Sequence, residues 1–213
     1  MANHVYFNVE VDDISEKEWN TAWKTELVKR TNWEDKEVEY QELLDMHLQP
    51  FLENVGKYEL DEDGWLKDSY NWYCDNLGAK WVNVDDWCVY NGGCSGYSAW
   101  SAPTYMVENL LVWLSARFGR EFSAKMTYED EFRNFFGVDW YETYEEDGEW
   151  FCATSDEVVD GNELTVAVEA QYPNIQDEDG DWDWDVEDES GKTAMEYADD
   201  LVYAFFEKGE WRV

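Results

Sequence analysis

Basic residues are scarce in this 213-residue chain: 15 Lys and Arg stand against 51 Asp and Glu, a formal net charge of −36. Binding to a nucleic-acid backbone runs on cations that neutralise phosphates, so that role is excluded as the main one, and an anionic membrane is excluded on the same ground. Proline is also rare, with 3 residues, and so is histidine, with 2. No run approaches the roughly 18 apolar residues of a membrane-spanning helix. The N-terminus has no basic region followed by an apolar stretch, so no signal peptide is read there. Four cysteines (Cys74, Cys88, Cys94 and Cys152) have no CxxC spacing. The expectation is a soluble, cytoplasmic protein with reduced thiols. Cys88 and Cys94 flank Asn91-Gly92-Gly93, so they face each other across a hairpin turn either as thiols or as a disulfide.

Aromatics are abundant: 14 Trp, 14 Tyr and 10 Phe make up 18% of the chain. Acidic disordered chains are poor in aromatics, so this composition points to a packed core, and the length points to one domain over 1–213. A charge of −36 repels itself in the compact state. Either the solvent is very salty or the acidic surface is functional, and salt adaptation offers no account of the tryptophans.

Hydrophobic periodicity gives the elements. Val5, Phe7, Val9 and Val11 alternate as a half-buried strand. Ser15 and Glu18 form a capping box before a helix carrying Trp19, Ala22, Trp23 and Leu27, ending near Arg30. A second helical stretch starts at Glu37, with Tyr40, Leu43, Leu44, His47, Leu48, Phe51 and Leu52, kinked at Pro50. Residues 12–69 are thus a helical insert, with 58–68 an exposed acidic connection. Lys80–Tyr90 and Gly96–Trp100 read as a hairpin pair. Thr104 is the expected N-cap of a helix with Val107, Leu110, Leu111, Leu114 and Phe118 on its stripe, stopped at Gly119. Glu121–Glu129 is a strand, and Gly137–Ala153 a hairpin turning at Glu146-Asp147-Gly148. Leu164, Val166 and Val168 alternate, which predicts a strand over Glu163–Gln171, and Asp181–Glu187 is another candidate. Thr193 and Glu196 form a second capping box before a final helix burying Ala194, Tyr197, Ala198, Leu201, Val202 and Phe205. The predicted class is α+β: a ferredoxin-like antiparallel sheet with helices packed on one face. Residues 70–150 with strand 1–11 form its central block, and 154–213 extend it as an acidic β-hairpin and helix.

Three segments carry a family resemblance. They are Asn76-Leu77-Gly78-Ala79-Lys80-Trp81, Tyr97-Ser98-Ala99-Trp100-Ser101-Ala102-Pro103, and the run from Leu114-Ser115 through Phe118 and Phe122 to Tyr128-Glu129-Asp130-Glu131. Over about residues 70–145, plus the opening strand, the chain resembles the YubB ferredoxin-like family of plasmid and phage proteins. It departs at Leu77, where the family has Trp, at Ala79 for Thr and at Ala102 for Pro. The resemblance implies a fold and a mobile-element origin; it carries no activity.

No constellation of catalytic residues appears. His4 sits near the terminus and His47 on an apolar helical stripe, where a core or rim histidine is the ordinary reading. Gly92-Gly93 and Gly96 open no helix with Lys-Ser/Thr and form no phosphate loop. Carboxylate pairs occur throughout, so none is diagnostic of acid–base catalysis. Asp177-Glu178-Asp179-Gly180-Asp181 is similar to a calcium loop but has its glycine at position 4 rather than 6. The reading is a non-enzyme with no cofactor and no metal.

In Asp181-Trp182-Asp183-Trp184-Asp185-Val186-Glu187 the acids share one face of an extended chain, recurring every ~6.7 Å. Duplex DNA carries one charge per ~1.7 Å, so one such segment does not imitate a duplex and several acidic elements must combine. The candidates are Asp177, Asp179, Asp181, Asp183, Asp185, Glu187 and Asp188, with Glu142, Glu145, Glu146 and Asp147, and with Asp61, Glu62 and Asp63; Asp85-Asp86 and Asp199-Asp200 are further acidic pairs that could line up with them. Together they predict an inhibitor that mimics nucleic acid and occupies the basic groove of a host DNA- or RNA-binding protein, with exposed aromatics as anchors. The alternatives are an assembly protein whose charge serves solubility, and a ligand binder with a pocket lined by Trp81, Trp87 and Trp100.

Overall fold

The computed structural model describes residues 3–22, 67–85, 92–176 and 182–211 in full, together with the backbone of 25–31 and 37–43. Its organising element is strand β1 (His4–Val11), whose Val5, Phe7, Val9 and Val11 are buried while Tyr6, Asn8 and Glu10 face outward. Strand β2 (Thr25–Thr31) pairs with β3 (Glu37–Leu43) in a separate two-stranded sheet. The main sheet adds β4 (Val82–Val84), β5 (Gly93–Ala99), β6 (Ser123–Asp130), β7 (Phe135–Glu146) and β8 (Glu149–Asp160). Its order is β4-β5-β1-β6-β7-β8, antiparallel throughout. The long β7–β8 hairpin turns where Asp147 and Gly148 both take positive φ (54° and 84°), as a two-residue hairpin turn requires.

The described helices are α1 (Glu16–Ala22), α2 (Ser69–Leu77), α3 (Thr104–Phe118), α4 (Gly161–Gln171) and α5 (Ala194–Lys208). They cover both faces of the sheet, which corrects the expectation of helices on one face. Met106, Val107, Leu110, Leu111 and Leu114 of α3 pack with Val5, Phe7, Val9, Met126 and Tyr141 in a first core. Phe136, Val138 and Val159 instead pack with Leu164 and Val168 of α4 and Ala198, Val202 and Phe205 of α5 in a second core. Strand β7 is the partition: Phe136 and Val138 point one way, and Asp139 and Tyr141 the other. A strand buried on both faces loses simple alternation and reads as a continuous apolar run.

Three further elements differ from expectation. Glu163–Gln171 is helix, because Leu164 and Val168 satisfy helical i, i+4 spacing as well as period two; Val166, the residue that separates the two readings, is 64% exposed. Asp160 caps this helix by accepting from the Asn162 N–H at 2.8 Å. The insert 12–69 holds, among its described residues, one short helix and the β2–β3 hairpin: Thr25, Val28, Thr31, Val38 and Tyr40 are β-branched or aromatic, and Val38 and Tyr40 alternate with glutamates. Asp183–Glu187 forms a turn between isolated bridges at Trp182 and Glu187 rather than a strand of a C-terminal hairpin. Cys88, His47, Pro50, Trp87 and the connection 58–66 lie outside the described residues. Among the described residues no helix is long and apolar enough to cross a membrane.

The segments Asn76–Trp81 and Tyr97–Pro103 touch each other. Gly78 (φ 83°) ends α2, and a Cβ there would sit 3.3 Å from the Thr104 and Tyr105 backbone nitrogens. Ser101 Oγ donates to the Gly78 carbonyl at 2.8 Å, Asn109 donates to the Asn76 carbonyl at 3.0 Å, and Lys80 Nζ lies 4.4 Å from the centre of the Trp100 ring. These residues therefore join the end of α2 to the start of α3. Their role is architectural.

Candidate functional site

The acids singled out above separate into groups. Asp61, Glu62, Asp63, Asp177, Asp179 and Asp181 lie outside the described residues. Glu142, Glu145, Glu146 and Asp147 are exposed at the distal end of the β7–β8 hairpin. Strand alternation puts Glu142 and Glu146 on one face and Glu145 on the other. Between Glu142 and Glu146, Tyr144 stacks on its cross-strand partner Phe151, with ring centres 5.7 Å apart and planes at 26°. Both rings are exposed, so this acid-flanked aromatic pair faces solvent.

Asp183, Asp185 and Glu187 are exposed on the turn before α5, while Trp182, Trp184 and Val186 between them pack on the second core. The expected division of acids from apolar residues holds without a regular strand. Asp188 is committed elsewhere: its Oδ1 accepts from Ser190 N (2.8 Å), Ser190 Oγ (2.6 Å) and Lys192 N (3.1 Å). These donors hold its carboxyl below the usual range, led by the Ser190 hydroxyl. Its role is to close the loop that leads into α5.

Helix α5 carries Asp200, already a candidate, and adds Glu196 and Glu207, which the reading of acidic runs missed. Glu196, Asp200, Tyr203 and Glu207 are all exposed and recur at i, i+4, i+7 and i+11, one stripe of a helix. Thr193 and Glu196 form the predicted capping box that fixes where the helix starts. The signal was available in the spacing of single acids rather than in their runs. Asp200 shares its charge with Lys192 at 2.5 Å.

The ends of α5 locate the groups relative to each other. At its N-terminal end Met195 N donates to the Trp184 carbonyl, and Asp199 pairs with Arg133 beside the start of β7. At its C-terminal end Lys125 Nζ donates to the Phe206 carbonyl, and Gly209 lies against the Trp140 ring. The turn acids therefore sit at one end of the helical stripe, and Glu142, Glu146 and the hairpin tip lie beyond the other. Fifteen helical residues span about 22 Å, and Trp140 to Glu146 adds about 20 Å of strand. The exposed acids form a strip roughly 40 Å long on one side of the molecule.

On the opposite side a different acid is buried. Asp139 is 2% exposed. Its Oδ2 accepts from Tyr141 Oη at 2.9 Å and Thr104 Oγ1 at 3.3 Å, and its Oδ1 has no partner among the described residues. The Thr104 hydroxyl is thus drawn to Asp139 instead of capping α3, whose N-cap is Pro103 without a side-chain hydrogen bond. Burial first, then the facing Asp156, pushes the Asp139 carboxyl above its ordinary value. A raised folded-state pKa contributes stability at low pH that is lost as pH rises through it. Asp139→Asn keeps an acceptor for Tyr141 and Thr104 and removes the charge. Measured by urea unfolding, its stability relative to wild type should rise between pH 4 and pH 8 by about 1–3 kcal/mol; a difference independent of pH would contradict this account.

Of the three tryptophans expected to line a pocket, Trp87 lies outside the described residues and the other two have separate ring partners. Trp81 packs edge-on with His4 and Tyr97 (5.5 and 5.7 Å between ring centres), while Trp100 pairs with Lys80. Among the described residues no group of three His, Cys, Asp or Glu is placed to hold a metal ion. No family model, curated protein or solved structure matches this chain.

Proposed function

We propose that this protein is an acidic inhibitor that mimics nucleic acid and blocks the basic groove of a host DNA- or RNA-binding protein. The observation that carries this reading is the strip along the 183–189 turn, α5 and the β7–β8 hairpin. It presents on average roughly one carboxylate per 4–5 Å, somewhat sparser than the one phosphate per about 3.4 Å along a single strand of duplex. Its length of about 40 Å compares with the ~34–36 Å of one duplex turn. Complementary charge steers encounter with a basic cleft, and the steering weakens as salt rises. Tyr144, Phe151 and Tyr203 are exposed along the strip and would supply the aromatic anchors such interfaces use. The neighbour order β4-β5-β1-β6, with α2 and α3 between the strands in sequence, supports a ferredoxin-like sheet extended by β7 and β8. With it goes the YubB-like resemblance, and on this reading the protein acts in the host cytoplasm after entry of a phage or plasmid.

The test is a pull-down from host lysate at low and high salt, with duplex DNA as competitor. The expected result is a basic nuclease, polymerase subunit or nucleoid protein captured at low salt and displaced by DNA. Capture that ignores both salt and DNA would overturn the proposal and favour an assembly contact.

A further inference from the structure

Between the helix-free part of the sheet and α5 runs an open groove of about 660 Å³. Its floor is made of cross-strand pairs of β1 and β6: Tyr6 with Glu129, Asn8 with Thr127, and Glu10 with Lys125. Its helical wall presents Tyr203, Phe206 and Glu207. Both lining cations are already engaged, Lys125 with the Phe206 carbonyl and Arg133 with Asp199. Four carboxylates line the same groove against these two cations. Glu129 accepts no hydrogen bond from a described side chain, and burial raises its pKa despite the nearby Arg133. The groove is therefore acidic beyond its own ion pairs, and it is walled by two tyrosines that are 47% and 72% exposed.

We infer that this groove is a binding site for an extended arginine-bearing segment of a protein partner. Three features select that occupant. Net negative lining excludes an anion. Tyrosine faces accept a planar guanidinium by stacking and cation–π attraction. A carboxylate on the floor completes the site, since the guanidinium fork matches carboxylate geometry. The inference rests on the proposed function, because it names the feature of the basic partner that this flank of the acidic strip would hold.

The experiment uses the full chain and a fluorescein-labelled nona-arginine peptide, with affinity read by anisotropy at low salt. Glu129→Gln and Tyr203→Ala alter the groove. Glu163→Gln and Tyr105→Ala make the same chemical changes at exposed positions elsewhere, and circular dichroism checks that all four fold. The groove predicts that each of the first two weakens binding about tenfold while each control stays near wild type. Binding that all four variants leave equal would overturn the groove and leave the charge-based function standing. No binding at low salt would overturn both.

Discussion

Phe136→Ala is expected to cost about 3–5 kcal/mol of stability, the largest loss from any single substitution considered for this chain. Phe136 is fully buried at the centre of the second core. Its ring meets Phe205 and Trp211 edge-on, each with centres 5.3 Å away, and Phe206 at 6.3 Å. Truncation removes these contacts and leaves a cavity between β7 and α5 that neighbouring rings fill only in part. For a chain of this size the loss corresponds to a Tm lower by roughly 6–20 °C. Because β7 also carries Tyr141 in the first core, damage to the second core should be felt across the whole sheet. A single, shifted unfolding transition is the expected result of a thermal melt followed by fluorescence and circular dichroism together. Val166→Ala, at an exposed position of α4, is the comparison and should move Tm little. Equal effects of the two substitutions would mean that α4 and α5 do not form a core with the sheet.

Much of the first core was legible in the sequence because its elements obey one period each. Strand β1 alternates, α3 repeats at helical spacing, and the turn Asp147-Gly148 announces its hairpin. The second core was hidden for three separate reasons. Leu164 and Val168 fit both a strand and a helix, so α4 read as a strand. Phe135-Phe136-Gly137-Val138 lacks alternation because its strand is buried on both faces, and only a second layer of helices explains that. Gly137 also has a local purpose: a Cβ there would fall 2.4 Å from the Tyr128 ring that packs across it. Asp139, an acid between Val138 and Trp140, was a visible anomaly whose meaning appears only when Tyr141 and Thr104 are seen to donate to it. The acidic surface was legible as a property and less so as a place. The runs at 145–147 and 183–188 were evident, but the α5 stripe that links them depends on single acids four and seven residues apart. Both capping boxes, Ser15–Glu18 and Thr193–Glu196, form as read, while the expected Thr104 cap does not; the Ser15 donors together with Arg120 hold the Glu18 carboxyl down to about 2.

The second large effect concerns that strip. Neutralising Glu187, Glu196, Glu207 and Glu210 together, as glutamines, removes charge from the turn, the stripe and the helix end. Gln at 196 still serves the capping box, so the fold should persist. The same number of neutralisations at Asp13, Glu16, Asp75 and Glu121, as Gln or Asn, gives an equal net charge at exposed positions away from the strip. If long-range attraction to a −36 protein were all that mattered, the two variants would behave alike. If the strip is the contact surface, each lost charge costs about 0.5–1 kcal/mol at low salt. The first variant should then bind a basic partner on the order of 100-fold more weakly. The decisive measurement is the affinity of wild type and both variants for the captured basic partner across a salt titration. The account predicts a steep salt dependence for wild type and for the off-strip variant, and a weaker, flatter one for the strip variant. Identical affinities and slopes for the two variants would contradict it.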